Sequence, residues 1–269
     1  MTLTGGAPTA TATVLTNAAF GDDPGHWPLP AAGTLGELWL RAVVAGGQGR
    51  YGSADADLAH LRRAQRVGPL ASLAHSTQAS FLRQLGWHEK ARGWDGRALA
   101  VAGTDREARV DAMIGLAADA VGVGRFAASA RALERASDLL EGAPARQAVR
   151  LAWVTAELAM STGDGAAAVA HAEAAVGWAA GLGSARHAEK SDVVLAAALC
   201  SAGQLDRSRT VAEAALDTTR RLGIIPLSWA LACLMVDIGS TVHSVQQVES
   251  IRDDCADTLR RRGGVLLDR

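Results

Sequence analysis

Apolar side chains recur along this chain in register with six glycines, Gly49, Gly86, Gly124, Gly163, Gly203 and Gly239. Counting back from each glycine, they fall at −14, −10, −7 and −3, as in Val149, Trp153, Ala156 and Met160, or Ile225, Trp229, Ala232 and Val236. That is one face of a helix with a 3.6-residue period. Counting forward, a second stripe falls at +5, +9 and +12, as in Ser129, Leu133 and Ala136, or Ser244, Val248 and Ile251. Each unit therefore predicts a helix, a turn at the glycine and a second helix. In the second unit these are residues 69–85, Gly86 and residues 87–100. Successive glycines are 37, 38, 39, 40 and 36 residues apart, a period that signals stacked supersecondary units.

Two small positions repeat most strictly. Seven before each glycine stand Ala42, Ala79, Ala117, Ala156, Ala196 and Ala232, and five after stand Ala54, Ala91, Ser129, Ala168, Ser208 and Ser244. The alanine at −7 marks the closest approach of paired helices, where a larger side chain would cost ~1–3 kcal/mol in overpacking. Helix starts are signalled by Pro69, Pro144 and Pro226 near first-turn positions. Capping boxes are expected at Thr34…Glu37, Thr104…Glu107 and Ser244…Gln247. The glycines suit the left-handed residue that ends a helix.

These features resemble the tetratricopeptide repeat family, whose first helix ends in G-x-[YF]-x-x-A after a small residue seven positions earlier. The matching segments are Gly49-Arg50-Tyr51-Gly52-Ser53-Ala54, Gly86-Trp87-His88-Glu89-Lys90-Ala91 and Gly124-Arg125-Phe126-Ala127-Ala128-Ser129. Gly203-Gln204-Leu205-Asp206-Arg207-Ser208 follows with leucine at the aromatic position, and the fourth and sixth copies carry Gly165 and Val242 there. The resemblance implies an all-α, right-handed α-solenoid of about six hairpins over residues 34–262. The units exceed the usual 34 residues, which resembles the longer-repeat sensor domains of some bacterial transcription activators. Tryptophans at −10 rather than −11 depart from the family pattern by one position.

The flanks read differently. Residues 1–33, rich in Gly, Pro, Ala and Thr, are expected to be a disordered or loosely packed leader, with Phe20 and Trp27 touching the first helices; 263–269 form a tail. The first repeat helix (Leu35, Leu38, Trp39, Leu40, Val43, Val44) is apolar nearly all round, so it needs the leader or a second subunit over it. A homodimer through this helix would meet that need. The last helix turns polar at Arg252-Asp253-Asp254, as a solenoid cap requires.

Composition narrows the function. A net charge of −1 over 269 residues argues against direct nucleic-acid binding. Cys200, Cys233 and Cys255 form no C-x-x-C pattern, so a reduced, cytoplasmic location without structural metal fits. No apolar run is long enough for a membrane span, and a charged signal-peptide n-region is missing. Phosphate-binding glycine loops are absent, and His88-Glu89 lacks the second histidine of a zincin. No catalytic residue, cofactor or metal is expected.

The candidate binding residues lie on first helices. Arg146, Arg150 and Glu157 share one face, and Arg186 and Lys190 occupy the equivalent −17 and −13 positions of the next unit, with His187 beside them. In tetratricopeptide-like folds the first helices line the concave groove, so four cations there would clamp a carboxylate or phosphate. The alternative is a solvated face balanced by Glu189 and Asp192. Trp153 and Trp229 read either as core or as flat groove walls. The leading expectation is a non-catalytic interaction scaffold for a protein or peptide with an acidic group or C-terminal carboxylate. The alternative is a ligand- or peptide-sensing regulator.

Overall fold

The computed structural model describes residues 9–267, and among them all regular structure is helical. The described residues form 13 helices. A first helix, α1 (Ala10–Phe20), precedes six consecutive pairs: α2 (Leu35–Gly47) with α3 (Tyr51–Ala64), α4 (Pro69–Gln84) with α5 (His88–Val101), and α6 (Arg106–Gly122) with α7 (Phe126–Ser137). The remaining pairs are α8 (Arg146–Ser161) with α9 (Gly165–Ala180), α10 (Ala185–Ser201) with α11 (Leu205–Arg221), and α12 (Ile225–Ile238) with α13 (Val245–Arg261). The first helix of each pair also packs on the first helix of the next, from α2 on α4 through α10 on α12.

Packing explains the repeated residues. All six −7 alanines are fully buried, as are the +5 residues from Ala54 through Ser208. Ser208 Oγ donates to the Ala196 carbonyl at 2.7 Å, so the two small positions meet where the helices cross. Every repeat glycine has a positive φ, between +72° and +93°, which ends the first helix at no steric cost. A second series, Gly68, Gly103, Gly142, Gly183, Gly223 and Gly263, also has positive φ and lies in the turns that follow the second helices, with Gly68 serving as the N-cap of α4. Two capping boxes form as expected at Thr34–Glu37 and Ser244–Gln247. At α6 the cap is Asp105 instead of Thr104, accepting from Ala108 N at 2.9 Å. Ser244 departs from the other +5 residues: it is exposed and caps α13, because the preceding turn is longer.

The chain closes on itself. Leu259 of α13 belongs to the same buried cluster as Ala42, Tyr51, Ala54 and Leu58 of the first pair, and Ile225 and Trp229 of α12 pack against that cluster. Gly52 N donates to the Arg262 carbonyl at 2.9 Å, and Arg262 Nη1 to the Gln48 carbonyl at 2.7 Å. Beyond α13, Leu267 N donates to the Leu85 carbonyl and Trp87 Nε1 to the Val265 carbonyl. Gly49 sits on this seam, where a Cβ would run into Leu259. The polar end cap expected of the last helix is therefore corrected. Its polar residues face outward while Val248, Cys255, Ala256 and Leu259 bury, the last of them against the first pair.

The leader is also corrected. From Thr9 onward it is ordered helix and strap, and residues 1–8 and 268–269 lie outside the described residues. Thr9 caps α1 and donates to Glu37 at 2.6 Å. Ala18 and Ala19 bury against Val43 and Val44, with Phe20, Trp39 and Leu40 around them. The following strap ties both sides of the molecule: Ala185 N donates to the Gly21 carbonyl at 3.0 Å, and Gln48 Nε2 donates to the carbonyls of Pro24 and His26, both at 2.9 Å. Burial of apolar surface, not composition, decides this segment, because the first repeat helix offers an apolar face that α1 covers. That face needs no second subunit. Trp27 stays half exposed beneath the Arg50 guanidinium. No helix among the described residues is long and apolar enough to cross a membrane.

Candidate functional site: the central cavity

Closure leaves a central cavity of about 810 Å³. Its walls come from the first helices of the pairs, principally α4, α6, α8, α10 and α12, which present the residues left over once the −14, −7 and small positions have packed. Ile114, Val121, Val154, Met160, Val193 and Ala230 give it apolar lining; Arg83, Arg150, Glu157, Arg186, His187 and Lys190 give it charge and polarity. A concave, mostly apolar space of this size with a few convergent polar groups is the usual form of a small-molecule site.

The cationic wall lies where α8 and α10 adjoin. Arg146 pairs with Glu107, and Arg150 Nε lies 3.2 Å from Asp111, to which Gln147 Nε2 also donates at 3.0 Å. Burial works against the Asp111 charge, but Arg150 and Arg146 more than reverse this, and its pKa falls below the usual carboxylate value. Lys190 faces Glu157 at 3.5 Å. His187 is buried between the stacked ring of Trp153, 5.5 Å away, and Phe20 of α1 at 6.2 Å. Burial, reinforced by the charge of Arg186, pushes the His187 pKa well below 6.5 and keeps the ring neutral. Trp153 donates its Nε1 to Ser191 at 2.8 Å, satisfying the one polar atom of an otherwise buried indole.

A second charged cluster lies in the wall between α4, α5 and α6. Arg83 bonds both Asp95 and Asp119, the latter at 3.0 Å. Both carboxylates have fully buried side chains, and Asp119 is hydrogen-bonded to Asp95 as well as to Arg83. Gly115 makes the room, since a Cβ there would collide with the Asp95 carboxylate. Burial raises the Asp95 pKa to about 8, with Asp119 adding to the rise and Arg83 opposing it; Asp119 is raised by burial too. Burial thus favours the protonated form in this pair.

This arrangement predicts a pH dependence. The folded state keeps the Asp95 proton up to about pH 8, whereas the unfolded chain releases it near 4. The native state therefore binds more protons in that interval, and stability falls as pH rises. Below 6.5 the half-buried His75 and the buried His187, whose pKa values are lowered, work in the opposite sense. Between pH 6.5 and 8 the carboxylate dominates, aided up to about 7 by the raised Glu189. We expect a loss of about 1 kcal/mol per pH unit across this window. Asp95→Asn, uncharged throughout, should remove most of it. Denaturant melts at pH 6.5 and 8 check this; equal slopes for variant and parent would contradict it.

The structure brings Arg150, Trp153, Glu157, Arg186, His187, Lys190 and Trp229 to the cavity wall. Arg146 stands behind it, spanning Glu107 and the Phe20 ring. Trp153 is buried core as well as wall, and Trp229 packs toward the first pair, so the two readings of these indoles are not exclusive. The cations line a cavity that is partly open to solvent, with Lys190 and Glu157 each about a third exposed, and Glu189 and Asp192 do not pair with them. The Arg83, Asp95 and Asp119 cluster and the role of Phe20 were not among the sequence candidates. Among the described residues no group of three His, Cys, Asp or Glu is placed to hold a metal. No family model matches this chain, and no curated protein is significantly similar to it.

Proposed function

We propose that this chain is a non-catalytic ligand-binding protein of the sensing type, which takes a small molecule or a short peptide end into its central cavity. Its scaffold is a right-handed α-solenoid of six tetratricopeptide-like hairpins that has closed into a ring, working in a reducing cytoplasm. The observation that supports this reading is convergence: the residues a solenoid would offer to an extended peptide in its groove here line one partly open space of about 810 Å³. Such a volume suits a ligand of drug-like size better than a protein segment. A scaffold role on the outer surface keeps one observation in its favour, the half-exposed Trp178 of α9.

A thermal-shift screen of metabolites and short peptides against the whole chain tests the proposal. A ligand at 100 times its Kd stabilises by about 2.7 kcal/mol. Ala118 borders the cavity from α6, and Ala118→Trp would fill part of it. Hits that stabilise the parent and not this variant are expected. Hits that survive Ala118→Trp undiminished would place binding elsewhere.

A further inference from the structure

The charges around the cavity do not cancel. Arg83 lies between two carboxylates, Lys190 faces Glu157, and Arg146 and Arg150 share Glu107 and Asp111. Among the described residues Arg186 contacts no carboxylate, and its Nε is enclosed without a hydrogen-bond partner. The side chain is nonetheless held in place. Its Cδ lies close against the backbone of Gly47, where even a Cβ would sit 3.2 Å away, and the Phe20 ring lies 5.8 Å from the guanidinium carbon. Three guanidiniums against two carboxylates leave one positive charge over on this wall.

Resting on the cavity reading above, we infer that Arg186 anchors the carboxylate of a small monoanionic organic acid whose apolar body lies against Trp153, Met160 and Trp229. A guanidinium presents a planar fork that a carboxylate matches with two parallel hydrogen bonds. A phosphate monoester would bring nearly two negative charges, whereas the other cations here already have partners. Burial, together with Arg150 and Arg146, holds the Arg186 pKa down to about 10, and its enclosed Nε shows that the charge is partly desolvated before any ligand arrives. A group already partly stripped of water and fixed in position loses little further freedom on binding. The apolar lining demands a body beyond the acid group, which separates this ligand class from inorganic anions.

Calorimetry and thermal shift on the full-length chain test this with four probes: indole-3-acetate, octanoate, the neutral indole-3-acetamide, and inorganic phosphate. We expect both acids to bind, at least tenfold tighter than the amide and than phosphate. Arg186→Gln should weaken the acids at least tenfold. Without ligand this variant should melt at or above the parent temperature, because it removes an unpaired enclosed charge. Acid and amide binding equally well, phosphate competing on equal terms, or Arg186→Gln binding like the parent would each overturn the inference. A large loss of melting temperature in Arg186→Gln would overturn it too, by making the guanidinium a structural strut. If acid and amide bind alike and Ala118→Trp abolishes both, the cavity reading survives and only the anchor fails. If no probe binds, both readings fail for this ligand class.

Discussion

Arg83→Ala should destabilise the protein by about 3–5 kcal/mol, the usual cost of leaving buried charge without its partner. Asp95 and Asp119 would then face each other inside the wall with no cation between them. For a chain of this size that corresponds to a melting temperature lower by roughly 10 °C. The loss arises from uncompensated carboxylates, so it should be recovered in large part by adding Asp95→Asn and Asp119→Asn. Thermal melts of the single and triple variants decide it. A single variant within 1 kcal/mol of the parent, or a triple variant no better than the single, would show that the cluster does not hold this wall together.

The second large effect is expected at the seam. Leu259→Ala removes a fully buried side chain from the cluster that joins α13 to the first pair, at a cost of about 3 kcal/mol. In an open array the consequences would stay with the last hairpin, since each unit contacts only its neighbours. In a closed ring they should appear at both ends of the chain. Hydrogen exchange should therefore quicken in α2 and α3 as well as in α13. Faster exchange confined to α12 and α13 would mean that the seam contributes little.

Much of this fold is legible in the sequence because its determinants are local. The repeat glycines, the buried −7 alanines and two of three capping boxes act within a helix or a turn. The second glycine series was equally available, since Gly68, Gly103, Gly142, Gly183, Gly223 and Gly263 recur at 35 to 41 residues. Closure was not legible. The apolar stripe of α13 has the same spacing whether it buries beneath its own pair or reaches round to Tyr51, and only the curvature summed over all the pairs decides between these. The ordered leader escaped for a related reason: its composition is that of a flexible segment, while its stability comes from a face of α2.

The site divides along the same line. Arg150, Arg186 and Lys190 were found because equivalent positions of adjacent units put them on neighbouring helices. The Arg83 cluster leaves its own mark in the sequence, a break in the repeat. Arg83 stands at −3, where Val121, Met160, Cys200 and Val236 stand in other units. Asp95 stands at +9, where Leu58, Leu133 and Val248 stand, and Asp119 at −5 in place of Val44, Phe81 and Leu158. Three ionisable residues in core positions of adjacent units would be costly unless they met. What spacing could not give is the charge balance: that Arg150 has a carboxylate and Arg186 has none depends on where Asp111 and Glu107 of another unit point.

The most direct measurement is hydrogen exchange of the whole chain with and without a saturating cavity ligand from the screen. Added protection should concentrate in α8, α10 and α12, which line the cavity, and leave the exposed faces of α9 and α11 unchanged. Protection gained on those outer helices while α8 and α10 exchange as before would contradict a ligand site inside the ring.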